Sequence, residues 1–284
     1  MGNITEVVTM AREAEAPPIR KLSKDLYEYL PTGEVFEYEH GETRADNLGY
    51  VRRTMANIRA LINTNVTDPK CCRWVTLTYA DNMTDTKVLY QDFKKFWKKF
   101  CYWCEKQGYE KPEYITVQEP QGRGAWHVHA FFIWPEAAPF IPNNEVMAKL
   151  WGHGFTKTQA LEEVDNIGAY FSAYLADMPL DEYQALPDYD PKYQIEVKEF
   201  ENAQDLTKTK RFVKGGRLRL YPVGMNILRR SRGIKDPEVE RMTYGEAQKK
   251  VSSAKLTFSR SYEISDNHTV CNTITKAYYN SKRK

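Results

Sequence analysis

The chain of 284 residues is 42% apolar and 28% charged, with a formal net charge of +3. That balance describes a folded globular chain, sized for one large domain or a domain with an appendage, and excludes a disordered one. No apolar run reaches about 18 residues and no signal peptide is visible, so a cytoplasmic protein with no membrane partner is expected.

Residues 1–45 are polar and form an N-terminal segment, with a hairpin expected around Leu30-Pro31-Thr32-Gly33-Glu34. A core is expected over 46–180. Leu48, Val51, Met55, Ile58 and Ile62 recur at helical spacing and mark its first helix. Trp74-Val75-Thr76-Leu77-Thr78-Tyr79 is apolar and β-branched and reads as a buried strand. In a second helix, Leu89, Phe93, Phe96, Trp97, Phe100 and Cys104 line one face, and Lys94, Lys95, Lys98 and Lys99 the other. Cys101 and Cys104 fall inside this helix with no second Cys-x-x-Cys pair, so they read as core fillers in a reducing compartment rather than zinc ligands.

The next segment carries the chemistry. Residues 114–118 and 127–134 read as two strands joined across Gln121-Gly122-Arg123-Gly124, a turn sequence. Side chains alternate along a strand, so His127 and His129 project from one face with Val128 on the other. Closure of the hairpin brings Glu119 to the two imidazoles, a ligand set suited to one divalent cation. The plain alternative is a pair of half-exposed polar residues. A short helix over 144–151, ended by Gly152, and a strand over 155–158 follow. Residues 164–177 read as a further helix, capped by Asp165 or Asn166, in which Tyr170 and Tyr174 are four apart and share a face. They are either aromatic core residues or attacking phenols beside the metal.

Residues 181–284 are expected to hold an acidic linker, a basic segment and two late strands packed on the core. The basic residues are Lys208, Lys210, Arg211, Lys214, Arg217, Arg219, Arg229, Arg230 and Arg232, followed by Lys235, with no acid among them from 207 to 235. With Phe212 and Tyr221 interleaved, this is the composition of a phosphate-tracking surface; a solvated basic face is the alternative. The late strands are read over 255–263 and 269–279. The whole order suits an α+β fold, an antiparallel central sheet with helices packed on one face.

Glu119-Pro120-Gln121-Gly122-Arg123-Gly124-Ala125-Trp126-His127-Val128-His129 is similar to a metal motif with an upstream acid. The strand at 74–79, the turn Leu150-Trp151-Gly152-His153-Gly154-Phe155 and residues 165–174 are similar to three more motifs in the same order. Together they resemble the HUH endonucleases, specifically the rolling-circle replication initiators of phages and plasmids, over about residues 48–178. The family's tyrosine motif reads Tyr-x-x-Lys, and here Ala173 and Asp177 stand at the lysine positions, with Lys157 the nearest upstream replacement.

The resemblance implies Mg²⁺ or Mn²⁺ held by Glu119, His127 and His129. It implies attack by Tyr170 on single-stranded DNA at a replication origin, leaving a 5′-phosphotyrosine and a free 3′-OH, with Tyr174 serving a second transfer. A host helicase and single-strand binding protein are implied partners, since no Gly-x-x-x-x-Gly-Lys-Ser/Thr sequence is present. Three alternatives remain: an origin-binding protein weakened in catalysis, a conjugative relaxase or transposase of shared chemistry, and an RNA-binding sheet.

Overall fold

The computed structural model of the chain describes residues 1–13, 18–41, 48–161, 166–187, 189, 195–201, 207–266 and 269–283. For several of these, including Tyr170, Ala173, Tyr174, Lys208 and Lys210, it describes the backbone alone. In chain order the elements are β1 (Ile4–Met10), β2 (Ile19–Lys21), β3 (Leu26–Tyr29), β4 (Glu34–Glu37), α1 (Leu48–Asn65), β5 (Cys72–Leu77), α2 (Thr86–Lys106), β6 (Glu113–Pro120) and β7 (Trp126–Ile133). They continue as α3 (Ala148–Trp151), β8 (Thr156–Ala160), α4 (Ile167–Ala176), β9 (Met178–Pro179), α5 (Leu180–Gln184), β10 (Ile195–Glu201), β11 (Thr207–Val213), β12 (Leu228–Arg230), α6 (Tyr244–Val251), β13 (Lys255–Asp266) and β14 (Thr269–Asn280). None of the described helices is long and apolar enough to cross a membrane.

The chain divides into two compact units. The first comprises residues 1–2 and 43–238, the second 3–42 and 239–284. In the second unit β1 pairs with β14, which pairs with β13, while β2, β3 and β4 form a separate antiparallel meander whose turn is the hairpin expected at 30–34.

The first unit is built on a five-stranded antiparallel sheet in the order β12-β6-β7-β5-β8. The α+β class and the antiparallel central sheet are as expected, and helices meet both faces because the successive residues Phe131 and Phe132 of β7 present an apolar ring to each. On one face Phe132 lies 4.8 Å from Phe100 and 6.2 Å from Phe96, ring centre to ring centre, on the apolar side of α2. That helix starts at Asp85, whose carboxylate accepts from the Lys87 and Val88 amides. On the other face Phe131 meets Phe171 of α4 edge-on at 4.7 Å. The α4 helix in turn rests on α1. A Cβ at Gly168 would fall 2.5 Å from the Arg59 carbonyl oxygen, so only glycine allows this approach. At its start Asn166 Oδ1 accepts from the Ala169 amide at 3.0 Å, while Asp165 lies outside the described residues. The helix expected over 144–151 is divided into a π-helical turn, Asn143–Met147, and the single turn of α3. Trp151 is buried there and donates its indole N–H to the Thr78 carbonyl at 2.6 Å.

Candidate active site

The local sequence accounts for the first half of the site. The loop between β6 and β7 closes on itself through Gln121 N–H to the Ala125 carbonyl at 2.7 Å and Gly124 N–H to the Gln121 carbonyl at 2.8 Å. That closure sets the register in which Glu119 stands opposite His127 and Val117 opposite His129. Directly opposed residues share a face, and so do residues two apart on one strand, so all three polar side chains meet on the α4 side of the sheet.

One ligand atom from each of Glu119, His127 and His129 lies within 4.8 Å of the others. Glu119 and His129 are essentially sealed, at 1% and 0% exposed, whereas the His127 side chain keeps 20% of its surface open. The cluster therefore has a closed floor and one open side. His129 Nε2–H donates to Glu119 Oε2 at 2.7 Å, and His127 Nδ1 lies 3.8 Å from the same oxygen. Thr76 Oγ1 sits 3.2 Å from His129 Nδ1, within hydrogen-bond distance of the ring's second nitrogen. Phe171 closes the cluster from α4, its ring centre 5.7 Å from that of His129.

Burial lowers the His127 pKa to about 4, because a desolvated imidazolium is costly, so this ring is neutral near pH 7. Burial alone would raise the Glu119 carboxyl. The charge that His129 carries when protonated and its hydrogen bond, with Arg217 and His127 beside it, instead hold it below the ordinary carboxylate value. The ionised Glu119 carboxylate and the uncharged His127 ring are each in the protonation state that a cation requires of a ligand.

Arg217 is the residue that sequence reasoning placed elsewhere. Grouped there with the DNA-facing cations, it is 5% exposed, with Nε 3.2 Å from Glu119 Oε1. It arrives on the Gly215-Gly216 turn that follows β11, where Asp177 Oδ1 accepts from the Gly215 amide at 3.2 Å. Asp177, one of the two positions lacking a lysine, is thus buried at the end of α4 and accepts a backbone N–H. Glu182 was also missed: its Oε1 accepts from the Gly122 amide at 2.7 Å, which ties α5 to the β6–β7 loop. No local pattern marks these partners, because each lies far along the chain from the histidines.

The backbone of Tyr170 and Tyr174 lies in α4, between the buried residues Ile167, Phe171 and Leu175; their side chains lie outside the description. Lys157 is exposed and stands opposite Thr76, which stands opposite His129, so the three form one row across the α4 face. Of the basic segment, Lys208 and Lys210 are placed in β11 by backbone only, while Arg211, Lys214 and Arg232 are exposed. Arg219 lies over the Tyr183 ring at 6.0 Å, and Arg229 over the Tyr90 ring at 3.4 Å. Arg230 is exposed and makes a two-pronged pair with Asp236 at 2.6 and 2.9 Å.

Comparison with curated proteins and with solved structures gave no match. Residues 72–179, which run from β5 to β9 and include Glu119, both histidines and both tyrosines, match the family model described as Replication-associated protein ORF2/G2P, and that likeness supports a role in replication.

Proposed function

We propose that the chain is a rolling-circle replication initiator that nicks and rejoins single-stranded origin DNA by metal-assisted tyrosine transesterification. The observation that carries this reading is the convergence of Glu119, His127 and His129 on the sheet face against which α4 packs through Phe171. An ionised carboxylate and an uncharged imidazole fit Mg²⁺ or Mn²⁺, and the open side at His127 leaves room for a phosphate. A cation held there would supply Lewis-acid polarisation of a non-bridging phosphate oxygen. Tyr170 would act as nucleophile: its phenolic oxygen bonds to phosphorus, the bond to the 3′ oxygen breaks, and a 5′-phosphotyrosine and a 3′-OH result. Tyr174, one helical turn later, would take the second transfer that rejoins the strand. Lys157, on the same sheet face, would contact phosphate, as would the exposed cations Arg211, Lys214 and Arg232 together with Lys208, Lys210, Arg219, Arg229 and Arg230. Strand separation would fall to a host helicase and single-strand binding protein.

Asp177 favours a second reading. A carboxylate fixed at the end of the tyrosine helix, with Ala173 one turn earlier, supplies no positive charge from α4, as would suit a protein that binds an origin without cutting it. One assay separates the two: incubation with labelled single-stranded DNA and Mn²⁺, followed by a denaturing gel. A covalent protein–DNA band supports the nickase, and retention of DNA without such a band supports the binding protein.

A further inference from the structure

The geometry points to Arg217 as a positioning residue of the metal site, one that lies outside the segment matched to the replication-associated family. This inference rests on the metal-site reading above.

The two oxygens of Glu119 are used differently. Oε2 faces the histidines, 2.7 Å from His129 Nε2 and 3.8 Å from His127 Nδ1, while Oε1 faces Arg217 Nε at 3.2 Å. A carboxylate free to turn about its last bond would offer either oxygen to a cation. The arginine removes that freedom by holding one oxygen and leaving the other toward the imidazoles. Its own orientation is fixed in turn: Nη1 donates to the Pro120 carbonyl at 2.9 Å, Nη2 lies 3.5 Å from Glu182 Oε2, and Nε is 3.4 Å from the Asp177 carbonyl. The Arg217 amide donates to the Ala176 carbonyl at 3.1 Å, joining this brace to the last residue of α4. The guanidinium thus links the metal carboxylate to the Asp177 carbonyl just beyond α4, and the backbone amide of the same residue ties it to the end of the helix that bears Tyr170 and Tyr174. A lysine, with its donors on a single atom, cannot reach these partners together.

The test is Mn²⁺ calorimetry on the full chain carrying Arg217→Lys or Arg217→Gln, beside thermal unfolding of each variant. Loss of an outer partner of a metal ligand weakens metal binding by about ten- to hundredfold, and that loss is expected of both variants. Charge alone predicts the opposite for Arg217→Gln, since removing a cation from beside a bound cation tightens binding. A merely structural arginine would lower the melting temperature and leave the affinity of the folded protein unchanged. Should Arg217→Gln fail to fold, Arg217→Lys, which keeps the buried charge, carries the test. A folded variant binding Mn²⁺ as the wild type does would overturn the inference and leave the metal site standing. A wild-type chain that binds no Mn²⁺ would overturn both.

Discussion

Acidification of the metal-free protein probes the burial of His127 directly. The ring titrates at about 4 in the folded chain against 6.5 when solvated, because burial disfavours its charged form. Between those values the unfolded chain binds a proton that the folded chain does not, so stability rises with pH through this window. The contribution is fully present above 6.5 and is lost as pH falls toward 4. A span from 6.5 to about 4, at about 1.4 kcal/mol per unit, gives a limit of roughly 3.5 kcal/mol, of which about 3 kcal/mol is lost by pH 4. Other groups also titrate under these conditions, so the quantity to isolate is a difference between two proteins. Urea unfolding of wild type and of His127→Gln, in chelator and at steps between about pH 7 and 4, yields two stability curves. The wild-type curve should fall more steeply, by about 3 kcal/mol across the window. Parallel curves would refute the reasoning and place His127 in water.

His127→Ala and His129→Ala should each abolish Mn²⁺ binding in calorimetry; retained affinity in both would remove the metal assignment. Tyr170→Phe should eliminate the covalent DNA adduct, whereas Tyr174→Phe should spare the first cleavage and impair rejoining; loss of the adduct from Tyr174→Phe alone would reverse the roles. Neutralising Arg229, Arg230 and Arg232 together should weaken single-stranded DNA binding and flatten its salt dependence by up to about 0.7 log units per lost contact, and an unaltered slope would locate the DNA elsewhere. Gly168→Ala should cost about 1–3 kcal/mol in urea unfolding, since its Cβ would meet the Arg59 carbonyl at 2.5 Å and Asn63 Oδ1 at 2.8 Å; a neutral result would mean that α1 and α4 move apart easily.

The parts of this fold legible in the sequence were those whose signal is local. Two-residue alternation and a glycine-bearing turn placed Glu119 against His127, and helical periodicity marked α1 and α2 within a few residues of their ends. Non-local pairings left no such trace. Leu228–Arg230 was read as part of a basic surface, yet it is the edge strand beside β6, because three residues show no period. The acidic and basic stretches around β10 and β11 hide a strand pair, since charge is what their composition displays. The helices on both sheet faces follow from the pairing of Phe131 and Phe132 at the end of β7, one apolar ring on each face, which gives no sign of a solvated side there. Arg217 looked like its basic neighbours, and only the fold brings it to Glu119.

The pairing of β1 with β14 has a temporal side. Arg12 and Asn272, which hydrogen-bond at the end of that ladder, are 260 residues apart. At about 5–20 residues per second, a ribosome needs roughly 13–50 s to deliver the second after the first. Throughout that interval the Val7-Val8-Thr9-Met10 stretch has no partner strand, an apolar edge open to wrong pairing. Residues 43–238 emerge meanwhile and hold every partner their own sheet requires. The nascent chain thus completes the sheet with the histidines while β1 still waits for β14. A ribosome stalled before residue 269 would leave a chain that holds the strands bearing Glu119, His127 and His129 while β1 stays unpaired, so translation speed bears on the pairing of β1 more than on that cluster.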